Sequence, residues 1–181
     1  MSSDGVPRER LRSIIADKSL LKDGEFTLAS GATSSMFFDM KKTMLDPEGA
    51  SLLTEELWEL LKDRPVDCIG GLEMGAVPIV SQLSMRSFPE KPIPSFFVRK
   101  QTKGHGTDKK IDGYLLKGKT AIIFEDVTTT GGSAMQAVEA VRAAGLMVNT
   151  VITVIDRMEG AEETFTKGKI KLVSLFSRND F

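Results

Sequence analysis

A continuous apolar run from Thr120 to Phe124 ends on two adjacent carboxylates, Glu125 and Asp126. Such a run marks a strand buried on both faces, the situation created when helices cover both sides of a parallel sheet. The surrounding chain alternates in the same sense. Cys68 to Gly70 reads as a strand entering a loop at Gly71 to Gly75, and Val77 to Met85 as the following helix. Ser95 to Arg99 is a further strand, and Lys100 to Gly113 is polar and basic. Ser133 to Ala144 is a helix stopped by Gly145, with Val151 to Ile155 and Ile170 to Phe176 as strands beyond it. Alternating strands and helices define an α/β fold with a mainly parallel sheet, whose ligands sit at the C-terminal strand ends.

The part before this alternation is different. Leu11, Ile14 and Ile15 predict a helix over Arg8 to Lys18. Phe26 to Leu28 and Met36 to Lys41 are strand-like, on either side of a turn-rich stretch from Ser30 to Ser35. Asp46 as cap and Pro47 at the first helical position start a helix whose stripe is Ala50, Leu53, Leu57, Leu60 and Leu61. At 181 residues the chain suits one domain. A formal net charge of −1 argues against a nucleic-acid partner, whose binding rests on surplus Lys and Arg. No apolar run is long enough for a membrane span, and a single cysteine, Cys68, suits a reducing, cytoplasmic setting.

The segment after the apolar run carries the most chemistry: Glu125-Asp126-Val127-Thr128-Thr129-Thr130-Gly131-Gly132-Ser133. Glycines let backbone N–H groups converge on an anion, and the helix starting there adds its partial positive charge. Thr129, Thr130 and Ser133 add hydroxyl donors, so the loop suits one phosphate monoester. Glu125 and Asp126 would repel that phosphate but are good acceptors for the vicinal hydroxyls of a ribose. Together they describe a site for a ribose 5-phosphate. The lysine of an NTPase loop and the G-x-G-x-x-G of a dinucleotide site are both missing.

This segment resembles the signature of the type I phosphoribosyltransferases, which bind 5-phosphoribosyl 1-diphosphate (PRPP). The resemblance implies that residues 125–133 bind PRPP, that Asp126 serves catalysis, and that a nitrogen base displaces diphosphate with Mg2+ assisting. The ion is expected to be carried mainly by PRPP, with no assigned protein ligand.

A second segment, Arg99 to Lys110, packs five fixed positive charges and the chain's single histidine into twelve residues. Gly104 and Gly106 flank His105, which predicts a mobile segment. A cationic lid suits a departing diphosphate, whose charge needs most stabilisation in the transition state. Closing it would also exclude water. The spacing Arg-Lys-x-x-Lys-x-His resembles the catalytic loop of the orotate phosphoribosyltransferases. That likeness implies that Arg99, Lys100, Lys103 and His105 bind the diphosphate end of PRPP, with Lys103 and His105 catalytic. It also implies a homodimer whose loops serve sites across the interface.

The stretch Phe26 to Gly31 with Ser34 to Asp39 resembles the orotate-binding part of the same family, and residues 1–45 are then a hood over a PRPP-binding core at 46–181. Phe37, Phe38, Thr129 and Arg157 become orotate-site residues. In a strand, Phe37 and Phe38 point to opposite faces, so one ring borders the ligand while the other joins the core. Arg157 ends a strand, where a planar carboxylate is its natural partner; a local acid such as Glu159 is the competing one. Glu73, Met74 and Gly75 form the expected pyrophosphate turn. Two positions depart from relatives, Ala29 and Met74, where a lysine can stand; Lys41 or Lys42 are spatial substitutes. Orotate and PRPP are the implied substrates, in the synthesis of the pyrimidine nucleotide. A purine-type phosphoribosyltransferase and a non-catalytic PRPP-sensing regulator are the competing functions.

Overall fold

A computed structural model describes residues 5–27, 33–101 and 110–181. Helix α1 (Gly5–Ile14) runs into one turn of π-helix (Ile15–Ser19), so the predicted N-terminal helix is present but changes pitch near its end. Strands β1 (Leu20–Thr27) and β2 (Thr33–Phe38) then form an antiparallel hairpin, with Leu20 opposite Phe38 and Phe26 opposite Ser34. This corrects the sequence reading at both strands. β1 starts at Leu20 rather than Phe26, while β2 stops at Phe38 and not at Lys41. Beyond Phe38 the Asp39 N–H donates back to Ser19 O at 2.8 Å, and the chain turns into the short helix α2 (Lys41–Met44).

Helix α3 (Pro47–Leu61) begins as its sequence dictates, with the Asp46 carboxylate accepting the Gly49 N–H at 2.9 Å and Pro47 opening the first turn. There follow β3 (Cys68–Gly70), α4 (Ala76–Ser87), β4 (Phe96–Val98), β5 (Ile111–Gly113), β6 (Thr120–Thr128), α5 (Gly132–Ala143), β7 (Met147–Asp156), α6 (Ala161–Lys167) and β8 (Lys171–Ser177). A single 3₁₀ turn occupies Arg178–Asp180. The central sheet has the order β3-β6-β7-β8 with every pair parallel. β4 and β5 pair as a separate antiparallel ribbon, joined to the β3 edge by bridges Ile69↔Ser95 and Leu72↔Val98. No strand is predicted at Ile111–Gly113 and no helix at Ala161–Lys167: both are short, and β5 gains its order from pairing with β4.

Alternation along β6 divides the core. Ile122 and Phe124 pack with Leu53, Leu57 and Trp58 of α3 and Leu83 of α4. Ala121 and Ile123 face the opposite way, onto Ala134, Ala137 and Val141 of α5 and Phe165 of α6. The strand does not end at Phe124, as its apolar run suggests. It pairs with β7 through Val127↔Ile155 and Thr128↔Asp156, so both carboxylates sit on ordered strand rather than in a loop. Among the described residues no helix is long and apolar enough to cross a membrane.

The fully buried Phe124 is the point where sheet, α3 and α4 meet. Phe124→Ala is expected to lower unfolding stability by about 3–5 kcal/mol, read as a fall in urea midpoint at unchanged slope.

Candidate active site

The C-terminal ends of β3 and β6, the start of α5, β2 and the end of β7 converge around two adjoining hollows. The smaller, about 140 Å³, is lined by Glu125, Val127 to Ala134 and Gln136. Its shape depends on Gly131, which adopts φ +83° just before α5, a conformation glycine takes without penalty. A Cβ there would also stand 3.0 Å from the Phe165 ring. The first intrahelical bond of α5 runs from Met135 N–H to Gly131 O at 3.0 Å, so the N–H groups of Gly132, Ser133 and Ala134 lie ahead of it without intrahelical acceptors. Thr128 Oγ1 is buried beside them with no hydrogen-bond partner. Donors and helix dipole thus meet where an anion fits.

The larger hollow, about 380 Å³, adjoins it through Glu125, Val127, Thr129 and Ser133. Its remaining walls are Phe37, Phe38, Lys41, Leu72, Glu73, Met74, Gly75, Lys100, Asp126 and Arg157. Of the expected site residues, this brings together both phenylalanines, the turn at 73–75, Lys100, the two carboxylates, Thr129 and Arg157. Lys103 and His105 lie outside the described residues, as does Ala29.

Each wall has its own local cause. Phe38 is buried in the core, edge-on to Phe181 at 5.3 Å, whereas Phe37 is partly exposed and stacks on Phe26 at 5.7 Å and 27°. The two rings divide as a strand requires. In the turn, Glu73 is tied down from both ends: its N–H donates to Val98 O at 2.8 Å and its Oε1 accepts the Lys100 N–H at 2.9 Å. The Glu73–Met74 peptide is cis, and the Met74 side chain is largely exposed. Gly75 lies close against the Asp126 carboxylate: a Cβ would come within 2.5 Å of Asp126 Oδ1 and require that side chain to move.

Arg157 is 2% exposed, and its Nη2 donates to Ser34 Oγ at 2.7 Å while pairing with Glu159 Oε1 at 2.9 Å. Its Nε is buried with no partner. The competing local acid is therefore in place, yet one edge of the guanidinium still has an unused donor. Arg99 is directed elsewhere: its guanidinium pairs with Asp112 on β5 and lies over the Phe97 ring, outside the walls of either hollow.

Glu125 is the electrostatic extreme of the site. Burial pushes its carboxyl well above the usual 4.5, and the neighbouring Asp126 charge pushes it further, against a smaller opposing pull from Lys100. Glu125 Oε2 has no hydrogen-bond partner, while Asp126 Oδ1 accepts the Val127 N–H at 2.9 Å. Among the described residues no cluster of three or more His, Cys, Asp or Glu could hold a metal. Two acids beside an anion pocket, one with an unpartnered oxygen, fit a hard cation that keeps water and substrate oxygens as most of its ligands, not one caged by protein.

Leu72, Ala134 and Gln136 are walls that the sequence reading does not assign to the site. Ser34 lies in the stretch that resembles the orotate-binding part and lines neither hollow; its hydrogen bond from Arg157, remote in sequence, has no sequence signal. Lys41, paired with Asp39 at 2.6 Å, reaches the larger hollow, whereas Lys42 is not among its walls. The choice between those two lysines follows from where α2 starts.

A doubly compartmented site at the strand ends of a four-stranded parallel sheet, with a Thr/Gly anion loop after an acidic strand, defines the type I phosphoribosyltransferase class. A phosphoribosyl transferase domain model matches residues 44–173. The chain is 50% identical over 99% of its length to the orotate phosphoribosyltransferase of Bradyrhizobium diazoefficiens, covering 98% of that protein. It superposes on the Mycobacterium tuberculosis orotate phosphoribosyltransferase in complex with Fe(III) dicitrate with TM-score 0.83 at 32% identity, over 96% of this chain and 98% of that one. A crystal structure of the same M. tuberculosis enzyme in complex with PRPP matches with TM-score 0.77 at 30% identity, over 96% and 98%. The chain belongs to the phosphoribosyltransferase family, in its orotate phosphoribosyltransferase branch.

The raised Glu125 carboxyl gives stability a pH dependence of definite sign. The folded protein keeps this proton where the unfolded chain has lost it, so the Glu125 contribution is most favourable below about 4.5 and declines as pH rises above it. Urea titrations of Glu125→Gln are expected to nearly match wild type at pH 5 and to exceed it clearly at pH 8. A pH-independent difference would contradict the assignment.

Proposed function

We propose that the protein transfers ribose 5-phosphate from PRPP to orotate, giving orotidine 5′-monophosphate and diphosphate. The observation that carries this reading is the wall that the two hollows share. The anion pocket and the larger chamber have Glu125, Val127, Thr129 and Ser133 in common, and the larger chamber adds Asp126, a buried arginine at one wall and the 73–75 turn at another. That order of groups matches the order of groups along a phosphorylated ribose carrying a base on one side and a diphosphate on the other.

In this reading the 5-phosphate takes the N–H and hydroxyl donors of Thr128 to Ser133, and Glu125 and Asp126 accept the ribose hydroxyls. The pyrimidine lies between Phe37 and Thr129. Its carboxylate takes the unused edge of Arg157, offsetting a buried charge that Glu159 satisfies only in part. The ring nitrogen gives up its proton, which the departing diphosphate takes, and its electron pair forms the bond to C1 while the C1–O bond breaks toward diphosphate. The 73–75 turn and Lys100 receive that leaving group. Lys103 and His105 complete its screening, with loops exchanged across a homodimer, while Arg99 is held by Asp112 of its own chain. Magnesium, carried by PRPP oxygens and water, supplies further neutralisation of the diphosphate. Catalysis is then positioning plus electrostatics.

The chain works as one domain, residues 1–45 forming the hood and 46–181 the PRPP core, and a cytoplasmic setting suits its single buried cysteine. A purine base has no carboxylate to offer Arg157, which favours orotate over the purine alternative.

Adding PRPP and Mg2+ to orotate and the protein is expected to bleach orotate's ultraviolet band, with no consumption of adenine, guanine or hypoxanthine in parallel assays. Lys103→Ala should lower kcat by about tenfold to a thousandfold, more than it raises the orotate KM. Mixed dimers of Lys103→Ala and Asp126→Asn subunits should regain activity that neither parent shows; verified mixed dimers without recovery would place each loop in its own site.

A further inference from the structure

The wall that faces the base belongs to a hairpin whose strands share no sheet with the catalytic core: β1 and β2 pair with each other, and the central sheet is β3-β6-β7-β8. Its placement over the larger hollow therefore rests on side chains. Leu20, Met36 and Phe38 pack into the core, Ser34 meets Arg157, and Phe181 stands at the junction behind them. Phe181 meets Phe38 of β2 edge-on, with ring centroids 5.3 Å apart and planes at 67°. It meets Phe176 of β8 in the same manner, at 5.7 Å and 66°. Arg8 of α1 covers the far face of this group, its guanidinium 5.0 Å from the Phe176 centroid. Phe38 is itself a wall of the hollow, so Phe181 lies directly behind the base site without bordering it.

The backbone delivering Phe181 is fixed. The Ser177 and Asp180 side chains cap the 3₁₀ turn reciprocally, Asp180 Oδ2 accepting the Ser177 N–H at 2.6 Å. The hood then grips this turn from above. Arg12 donates to Asp180 O and Lys22 of β1 to Phe181 O, each at 3.0 Å. The ring is held from both sides.

We infer that Phe181 is a positioning residue for the base pocket, resting on the orotate-transfer reading for what that pocket binds. Wedged between β8 and β2, its ring sets the height of β2 above the strand ends. Phe37 and Ser34 ride on β2, and Ser34 Oγ is the acceptor that orients Arg157. The anion pocket for the 5-phosphate is built from β6 and α5 and takes nothing from the hairpin. Loosening Phe181 should thus act on one substrate and spare the other.

Phe181→Ala is expected to raise the orotate KM about tenfold, since two edge-to-face contacts and a correct pocket height are lost together. The PRPP dissociation constant should stay within about twofold of wild type, because its phosphate pocket is untouched. Phe181→Tyr keeps the ring and should return the orotate KM to within about threefold. Equal changes for both substrates, an unchanged orotate KM, or failure of Tyr to restore it would overturn the inference. Should Phe181→Ala fail to fold, the uncapping pair Ser177→Ala with Asp180→Ala takes its place and is held to the same pattern. Amide hydrogen exchange decides independently of catalysis: residues 33–38 should exchange faster in Phe181→Ala while residues 125–133 keep their wild-type rates. An orotate assay that fails even for wild type would count against the proposed reaction, whereas exchange data would still decide whether Phe181 holds the hairpin.

Discussion

The architecture hinges on one strand carrying charge out of a core. β6 is paired with β3 on one side and β7 on the other and buried on both faces through Phe124. That pairing holds Glu125 beside Asp126, where burial first and the Asp126 charge second push the Glu125 carboxyl upward so that it holds its proton. Apolar packing one residue earlier anchors the strand, and Glu125 stands on the wall shared by the two hollows.

From this strand the rest of the site takes its coordinates. The turn at Gly75 lies close against the Asp126 carboxylate, and a Cβ there would stand 2.5 Å from Asp126 Oδ1 and require that side chain to move. Gly131 turns the chain so that α5 points its N-terminus at the same place. Arg157 follows the parallel partner of β6, its N–H donating to Thr128 O at 2.9 Å. Three functional walls are registered on a single element. The fourth, the hairpin, shares no sheet with β6, and among the described residues it meets the core through side chains.

What was legible in the sequence follows the range of the interactions involved. The apolar run at 120–124, the Asp46-Pro47 helix start and the Thr/Gly loop are local signals, and each appears where the residues place it. The extension of β6 through Thr128 was not legible, because polar residues there stay extended only by pairing with β7. β5 is three residues long and exists by virtue of β4, and β1 reaches back to Leu20 because Phe38 lies opposite it. At the site, Glu125 and Asp126 were expected from their residue types and Thr129 and Arg157 from the family resemblance, and all four line one hollow. The pairing of Ser34 with Arg157 and the wedge formed by Phe181 were invisible because the partners are distant in sequence. The outward pairing of Arg99 with Asp112 was hidden for the same reason, its acid lying on a strand that the composition does not announce.

The claim on which all of this turns is that the acidic end of β6 holds a ribose diol while the adjoining loop holds its phosphate. Isothermal titration of PRPP with Mg2+ into wild type and Asp126→Asn measures it most directly. Wild type should bind with one site per chain, and the variant should bind at least about tenfold more weakly, consistent with loss of a charge-assisted acceptor. Equal affinity in the two proteins, or no binding to folded wild type, would contradict it.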